Sequence, residues 1–184
     1  ICPADKILYA LRDVTGTVDS IPLIASSIMS KKLSVAADIL VLDVKTGDGS
    51  LLGDLERTKE LASLMVEMGK MAGKKVSAVI TSMDEPLDNY IGNNLEVLGA
   101  IEVLSGAENE LKTVAKALAV EVLMQSGMSE DKASSEVERV IKDGSALEIF
   151  KTMLVRQGAK NLEIKKPKIC VYEIKAQESG YLQK

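Results

Sequence analysis

The feature that most constrains the fold is a pair of short apolar runs on either side of a helical stretch. Residues 39–44 read Ile-Leu-Val-Leu-Asp-Val, and residues 75–81 read Lys-Val-Ser-Ala-Val-Ile-Thr. Runs this short and apolar are typical of strands buried on both faces of a parallel sheet. Residues 55–71 look helical, and strand, crossover helix and strand make a βαβ unit. We therefore predict an α/β fold with parallel strands near 39–44 and 76–81.

Two predicted helices precede this unit. Asp5 is a candidate cap for a helix over 6–14, and Ser20 caps a second helix that has Pro22 in its first turn. Further helices follow the second strand as far as Gln157, and a last strand is predicted over 169–172. We assign three parts: 1–35 as part of a helical lobe, 36–166 as the central part of a parallel-sheet domain with flanking helices, and 167–184 as the start of a C-terminal domain.

Composition excludes several classes of function. The 23 basic and 27 acidic residues give a net charge of −4, so no single-sign field would attract a nucleic acid or an anionic membrane. Only Cys2 and Cys170 could supply thiolate ligands, and the chain has no histidine, which argues against structural zinc and against histidine-based catalysis. The sequence shows neither a membrane span nor a signal peptide, so we expect a soluble, cytoplasmic protein.

One face of the second helix contains an anomaly. Ile24, Ser27, Ile28 and Lys31 recur at helical spacing, so that a hydroxyl and an ammonium interrupt an apolar stripe. A lysine on that face needs an anion or a carbonyl as its partner. The alternative is that Lys31 simply extends into water at the helix end, where the helix dipole favours a cation.

Arg12 lies on the first helix and leaves two interpretations open. It shares a face with Leu8 and Leu11, and Tyr9 projects beside it. It could be a solvated charge or a partner of Asp13. It could instead converge with Ser27 and Lys31 on one polar ligand, either an anion or a molecule with two carbonyl oxygens.

A glycine-rich turn follows the first strand. Residues 45–49 read Lys-Thr-Gly-Asp-Gly, at the strand end where open α/β sheets place ligand-binding turns. The turn could hold phosphate, but it matches neither the P-loop nor the three-glycine dinucleotide pattern. An ordinary strand-to-helix turn explains it equally well.

The run from Leu8 to Lys32 closely resembles the pyrimidine-site segment of thymidine and pyrimidine-nucleoside phosphorylases. Residues 43–49, 83–87 and 92–97 resemble the same family in the same order, and residues 179–181 are similar to the start of its C-terminal domain. The resemblance implies reversible phosphorolysis of uridine, deoxyuridine and thymidine to free base and (deoxy)ribose 1-phosphate. It also implies cytoplasmic homodimers and no organic cofactor.

The resemblance also implies roles for individual residues. Arg12, Ser27 and Lys31 would contact the base, with Arg12 and Lys31 also stabilising the charge that develops on it. The residues expected to surround the ring are Tyr9, Leu8, Val18, Ile24 and Ile28. No phosphate-binding residue falls in this chain, because the family's phosphate motifs lie upstream of the segment that it matches. We therefore expect this piece alone to bind base weakly and to lack phosphorolysis.

Members of the family can also hold a structural potassium ion. The resemblance places two of its ligands on the backbone carbonyls of Leu87 and Tyr90. The family's glutamate ligand falls on Gly99, so this chain lacks one implied ligand at that position. The sequence leaves the presence of potassium open.

Two other functions compete with this interpretation. The first is a phosphoribosyltransferase acting on anthranilate, which shares a helical domain packed on an α/β domain but is disfavoured by the spacing of Arg12, Ser27 and Lys31. The second is a catalytically silent scaffold or binding module. Intact upstream phosphate motifs would favour an enzyme over the silent alternative.

Overall fold

The computed structural model describes residues 2–160 and 172–180. Within these ranges the chain forms seven helices and two strands: α1 Pro3–Val14, α2 Ile21–Leu33, β1 Ile39–Thr46, α3 Leu55–Met71, β2 Lys75–Ser82, α4 Asn93–Leu104, α5 Glu110–Gln125, α6 Glu130–Lys142 and α7 Ser145–Arg156.

The two strands pair in parallel, as the sequence predicts. The register runs from Ile39 opposite Lys75 to Thr46 opposite Ser82, and α3 forms the crossover. The carboxyl ends of both strands therefore lie at one edge of the sheet. The loops that leave this edge, residues 47–54 and 83–92, are neighbours in space.

One face of the sheet carries the main core. Leu42 and Val44 project from β1 toward α2 and α3, and they pack with a set of buried apolar side chains: Ile21, Ile24, Ala25, Met29, Leu61, Ala62, Met65 and Val76. Alternate residues of a strand face opposite sides, so this set draws on every second position of β1. The core fixes α2 against the α/β unit.

The opposite face of the sheet is covered by α5. This helix packs against β1, and the side-chain amide of Gln125 at its end donates a hydrogen bond to Ser77 Oγ in β2. The helix α6 packs on α5 in turn, with Val114, Ala133 and Val137 buried between the helices. Helices on both faces of a parallel pair confirm the predicted α/β class.

The start of α1 corrects one prediction. Asp5 does not cap this helix: Cys2 occupies the cap position, Pro3 begins the helix, and Asp5 lies inside the first turn. Proline suits a first turn because its fixed φ fits the helix and its missing N–H would have no helical partner there. The earlier start leaves the Asp5 carboxylate available for a contact with α2.

Some predictions fall beyond the described ranges. The predicted strand over 169–172 lies outside them except for Tyr172, and Cys170 also lies outside. The assignments of 1–35, 36–166 and 167–184 to separate domains stay predictions. No helix in the described part of the chain is long and apolar enough to span a bilayer.

Candidate functional site

Ser27 and Lys31 meet the Asp5 carboxylate between α1 and α2. Lys31 Nζ lies 2.5 Å from Asp5 Oδ2, and Ser27 Oγ donates a 2.7 Å hydrogen bond to Asp5 Oδ1. Lys31 Nζ also donates to Ser27 Oγ at 2.9 Å. Lys31 thus has an anionic partner inside the protein, although its side chain is still 38% exposed.

The electrostatics of this cluster keep Asp5 ionised. The hydrogen bond from Lys31, followed by the one from Ser27, lowers the pKa of the Asp5 carboxyl below 3.8, and the charge of Arg12 acts in the same direction. One carboxylate therefore faces two cations. The excess positive charge makes this region suitable for an anion or for carbonyl oxygens.

Arg12 organises the connection between α1 and α2. Its side chain is buried, its Nε donates to the Thr17 carbonyl at 3.4 Å, and a terminal nitrogen donates to the Val18 carbonyl. The guanidinium also lies over the Tyr9 ring, 5.0 Å from its centre. No ion pair joins Arg12 to Asp13 in the part of the chain that the structure describes.

The other predicted base contacts fall into two groups. Leu8 and Tyr9 are exposed on α1, and Val18 is half-buried beside Arg12. Ile24 is buried in the core and Ile28 packs partly against it, where both line a cavity of about 380 Å³ next to β1. The roles of all five as walls of a base site stay predictions.

The glycine turn supports a neighbouring loop. The Gly49 amide donates to the Met83 carbonyl at 2.9 Å, and the Asp48 amide donates to Asp84 Oδ1 at 3.0 Å. Gly47 has φ +98°, and a Cβ there would overlap the Asp84 carboxylate. The amides of Asp48 and Gly49 therefore have partners inside the protein, one of them the Asp84 carboxylate.

A second polar cluster lies at the carboxyl end of the sheet. Lys45 Nζ pairs with Asp43 Oδ2 at 2.9 Å and donates to Thr81 Oγ1 at 2.7 Å. This cluster was not predicted, although strand alternation puts Asp43 and Lys45 on one face and the register puts Thr81 opposite Lys45. Asp5 was not predicted as a site residue either, because no spacing rule joins residues of two different helices.

The loop between β2 and α4 provides the test of the implied potassium site. Leu87 and Tyr90 lie on irregular backbone there, and no donor in the described residues is bonded to either carbonyl oxygen. Gly99 faces this loop from α4, and a Cβ at Gly99 would overlap Asp88 Oδ2. That oxygen is buried without a hydrogen-bond partner. A carboxylate is therefore present beside the glycine, which fits a cation.

Comparison with known proteins defines the class of this chain. Residues 1–147 match the model described as "Glycosyl transferase family, a/b domain". The chain therefore belongs to this glycosyl transferase family, in agreement with the parallel α/β fold.

Three relatives narrow the similarity further, and each is named a pyrimidine-nucleoside phosphorylase. The chain is 45% identical to the one from Geobacillus stearothermophilus over 99% of its own length and 44% of the relative's. The chain is 50% identical to the Bacillus subtilis (strain 168) protein, over 86% of its own length and 37% of the relative's. It is 44% identical to the Staphylococcus haemolyticus (strain JCSC1435) protein, over 98% of its own length and 43% of the relative's. The resemblance drawn from the residues is confirmed, and the chain spans less than half the length of these relatives.

Proposed function

We propose that the complete gene product carries out reversible phosphorolysis of pyrimidine nucleosides, with uridine, deoxyuridine and thymidine as substrates. The observation that carries the proposal is the cluster of Asp5, Ser27 and Lys31 beside Arg12, in which one carboxylate faces two cations. The names of the relatives support it over an anthranilate phosphoribosyltransferase and over a silent scaffold.

In this reaction, negative charge develops on the leaving base. Phosphate attacks the anomeric carbon, the bond from that carbon to the ring nitrogen breaks, and the base leaves with the electron pair. The products are the free base and (deoxy)ribose 1-phosphate. Negative charge then spreads over the ring carbonyls and N3, and cationic donors aimed at it lower the barrier.

Lys31 and Arg12 have enough N–H donors to stabilise the negative charge on the leaving base. An ammonium has three N–H donors, and Lys31 uses two of them on Asp5 and Ser27. A guanidinium has five, and the observed contacts of Arg12 with the Thr17 and Val18 carbonyls use two. The remaining donors can bind the base, while the internal bonds hold both side chains in position before the substrate arrives.

The proposal also covers phosphate binding and assembly. We assign phosphate binding to the portion of the relatives' length that this chain does not span. We also propose a cytoplasmic homodimer, as the family resemblance implies. The exposed apolar face of α1, which includes Ile7, Leu11 and Val14, supports pairing through the helical part.

The proposal is tested by incubating the complete gene product with uridine, deoxyuridine or thymidine, with and without phosphate, and measuring free base by chromatography. We expect base release that requires phosphate and is accompanied by sugar 1-phosphate. Absence of phosphate-dependent release from all three nucleosides would contradict the proposal. Coupling of anthranilate to phosphoribosyl pyrophosphate by the same preparation would favour the phosphoribosyltransferase instead.

A further inference from the structure

The loop between β2 and α4 contains a buried carboxylate oxygen that has no hydrogen-bond partner. Asp88 Oδ1 accepts a 2.7 Å hydrogen bond from the Asn89 amide, but Oδ2 has no partner among the described residues. Withdrawing a carboxylate oxygen from water without a compensating contact is costly. An unexplained buried acceptor of this kind calls for a cation or an ordered donor beside it.

The position of this oxygen depends on Gly99. A Cβ at residue 99 would overlap Asp88 Oδ2 and would lie 3.0 Å from the Tyr90 ring. The Asp88 carboxylate therefore uses the space in which any side chain at position 99 would begin. A glutamate at position 99 and the observed position of Asp88 therefore exclude each other. The chain can supply one carboxylate at this point, and Asp88 supplies it.

The surroundings favour a positive ion. Asp88 lines a cleft of about 590 Å³ together with Asp84, Glu85 and Glu96, and Lys45, which also lines it, is paired with Asp43. The carboxylates that line this cleft outnumber its one lysine, so the charge there favours a cation.

The ligand chemistry favours a monovalent over a divalent ion. The carbonyls of Leu87 and Tyr90 flank Asp88 in the chain, and backbone carbonyls are the ligands that replace the hydration shell of potassium in proteins. Calcium sites usually gather several carboxylates. No group of three or more His, Cys, Asp or Glu side chains able to hold a metal occurs among the described residues.

We propose that Asp88 supplies the carboxylate ligand of a potassium site, together with the Leu87 and Tyr90 carbonyls, in place of the glutamate that the family resemblance implies at position 99. The shift of the carboxylate from α4 to the loop would preserve the ion in a chain that lacks the glutamate. This inference does not depend on the proposed reaction, because it concerns the binding of an ion in the absence of substrates.

The test is thermal unfolding of the complete gene product, without nucleoside or phosphate, in potassium chloride and in choline chloride at equal ionic strength. A specific ion that binds only the folded state raises Tm, by on the order of 5 °C at a hundredfold excess over Kd. We expect this rise for the wild type, its loss in Asp88→Asn, and its retention in Glu85→Gln. The last variant removes an equal charge from the same cleft.

An equal Tm in the two salts for the wild type would overturn the proposal, as would a full potassium shift in Asp88→Asn or an equal loss in Glu85→Gln. The double variant Asp88→Gly with Gly99→Glu returns the carboxylate to α4. We expect it to regain the potassium shift and to bind thallium(I), a potassium analogue observed directly by thallium NMR. A folded double variant with neither property would also contradict the proposal that the carboxylate ligand can come from either position 88 or position 99.

Discussion

At the scale of single residues, Asp5 is the centre of the candidate base site. Its two carboxylate oxygens hold Ser27 and Lys31, so the geometry of both depends on a residue of the other helix. The interrupted apolar stripe on α2 indicated an anion or a carbonyl as the partner of Lys31 and left solvation at the helix end open. The partner itself, Asp5, could not be predicted, because it depends on how α1 packs against α2.

The Asp5 cluster predicts a specific dependence of stability on pH. The folded state lowers the pKa of Asp5 below 3.8, mainly through the hydrogen bond from Lys31. Its contribution to the free energy of unfolding is therefore fully present above the unfolded pKa, and it is lost as pH falls through the folded pKa. We expect Asp5→Asn to be less stable than the wild type near neutral pH, with the difference shrinking below about pH 4.

Urea unfolding of both proteins across this pH range checks the prediction. Asp13→Asn is a suitable control because Asp13 is exposed on the same helix. A stability difference between wild type and Asp5→Asn that stays constant from neutral to strongly acidic pH would show that the carboxylate contributes nothing through its charge.

At the scale of secondary-structure elements, the sheet was predictable and the loops were not. Continuous apolar runs and a crossover helix specify a parallel pair locally, and the structure lengthens the strands only to Thr46 and Ser82. The glycine turn after β1 left two interpretations open. Its amides bond to Met83 and Asp84, contacts across loops that no local pattern reveals.

This contact between loops predicts a large effect of substitution at Gly47. Gly47→Ala places a Cβ on a backbone with φ +98° and against the Asp84 carboxylate. We expect it to lower the free energy of unfolding by roughly 3 kcal/mol, from backbone strain and displacement of Asp84. Gly53→Ala, at φ +68° with open space around it, should cost only about 1 kcal/mol.

Urea unfolding of the two variants in the complete gene product measures this difference. Equal losses at Gly47 and Gly53 would show that backbone conformation alone matters, and that the close approach of the two loops does not contribute to stability.

At the scale of the whole molecule, α1 has the most exposed large apolar side chains of the seven described helices. Ile7, Leu11 and Val14 recur at helical spacing and are 71%, 56% and 80% exposed. Contiguous exposed apolar surface usually marks an interaction site. The proposed homodimer would bury this face.

The proposed dimer predicts that charged substitutions on this face lower the mass of the particle. In the complete gene product we expect twice the monomer mass by sedimentation, and dissociation when Ile7→Glu and Val14→Glu are combined. Glu110→Lys, a charge change on α5 away from α1, should leave the mass unchanged. A wild-type monomer, or a double variant with unaltered mass, would place the interface elsewhere or rule it out.

The most direct test of the base-site assignment is the phosphorolysis of uridine by variants of α2 in the complete gene product. Lys31→Ala removes a donor whose interaction strengthens as the base becomes anionic, so kcat/KM should fall by a factor of about 10². Ser27→Ala should cost several-fold. Lys32→Ala removes an exposed lysine from the same helix and serves as the matched control.

Arg12→Ala should also lose activity, but Arg12 holds the Thr17 and Val18 carbonyls, so Lys31 is the cleaner probe. The account predicts a folded Lys31→Ala enzyme with kcat/KM lowered about 10²-fold beside a Lys32→Ala enzyme close to wild type. Near-wild-type turnover of uridine by Lys31→Ala would contradict the assignment of the base site.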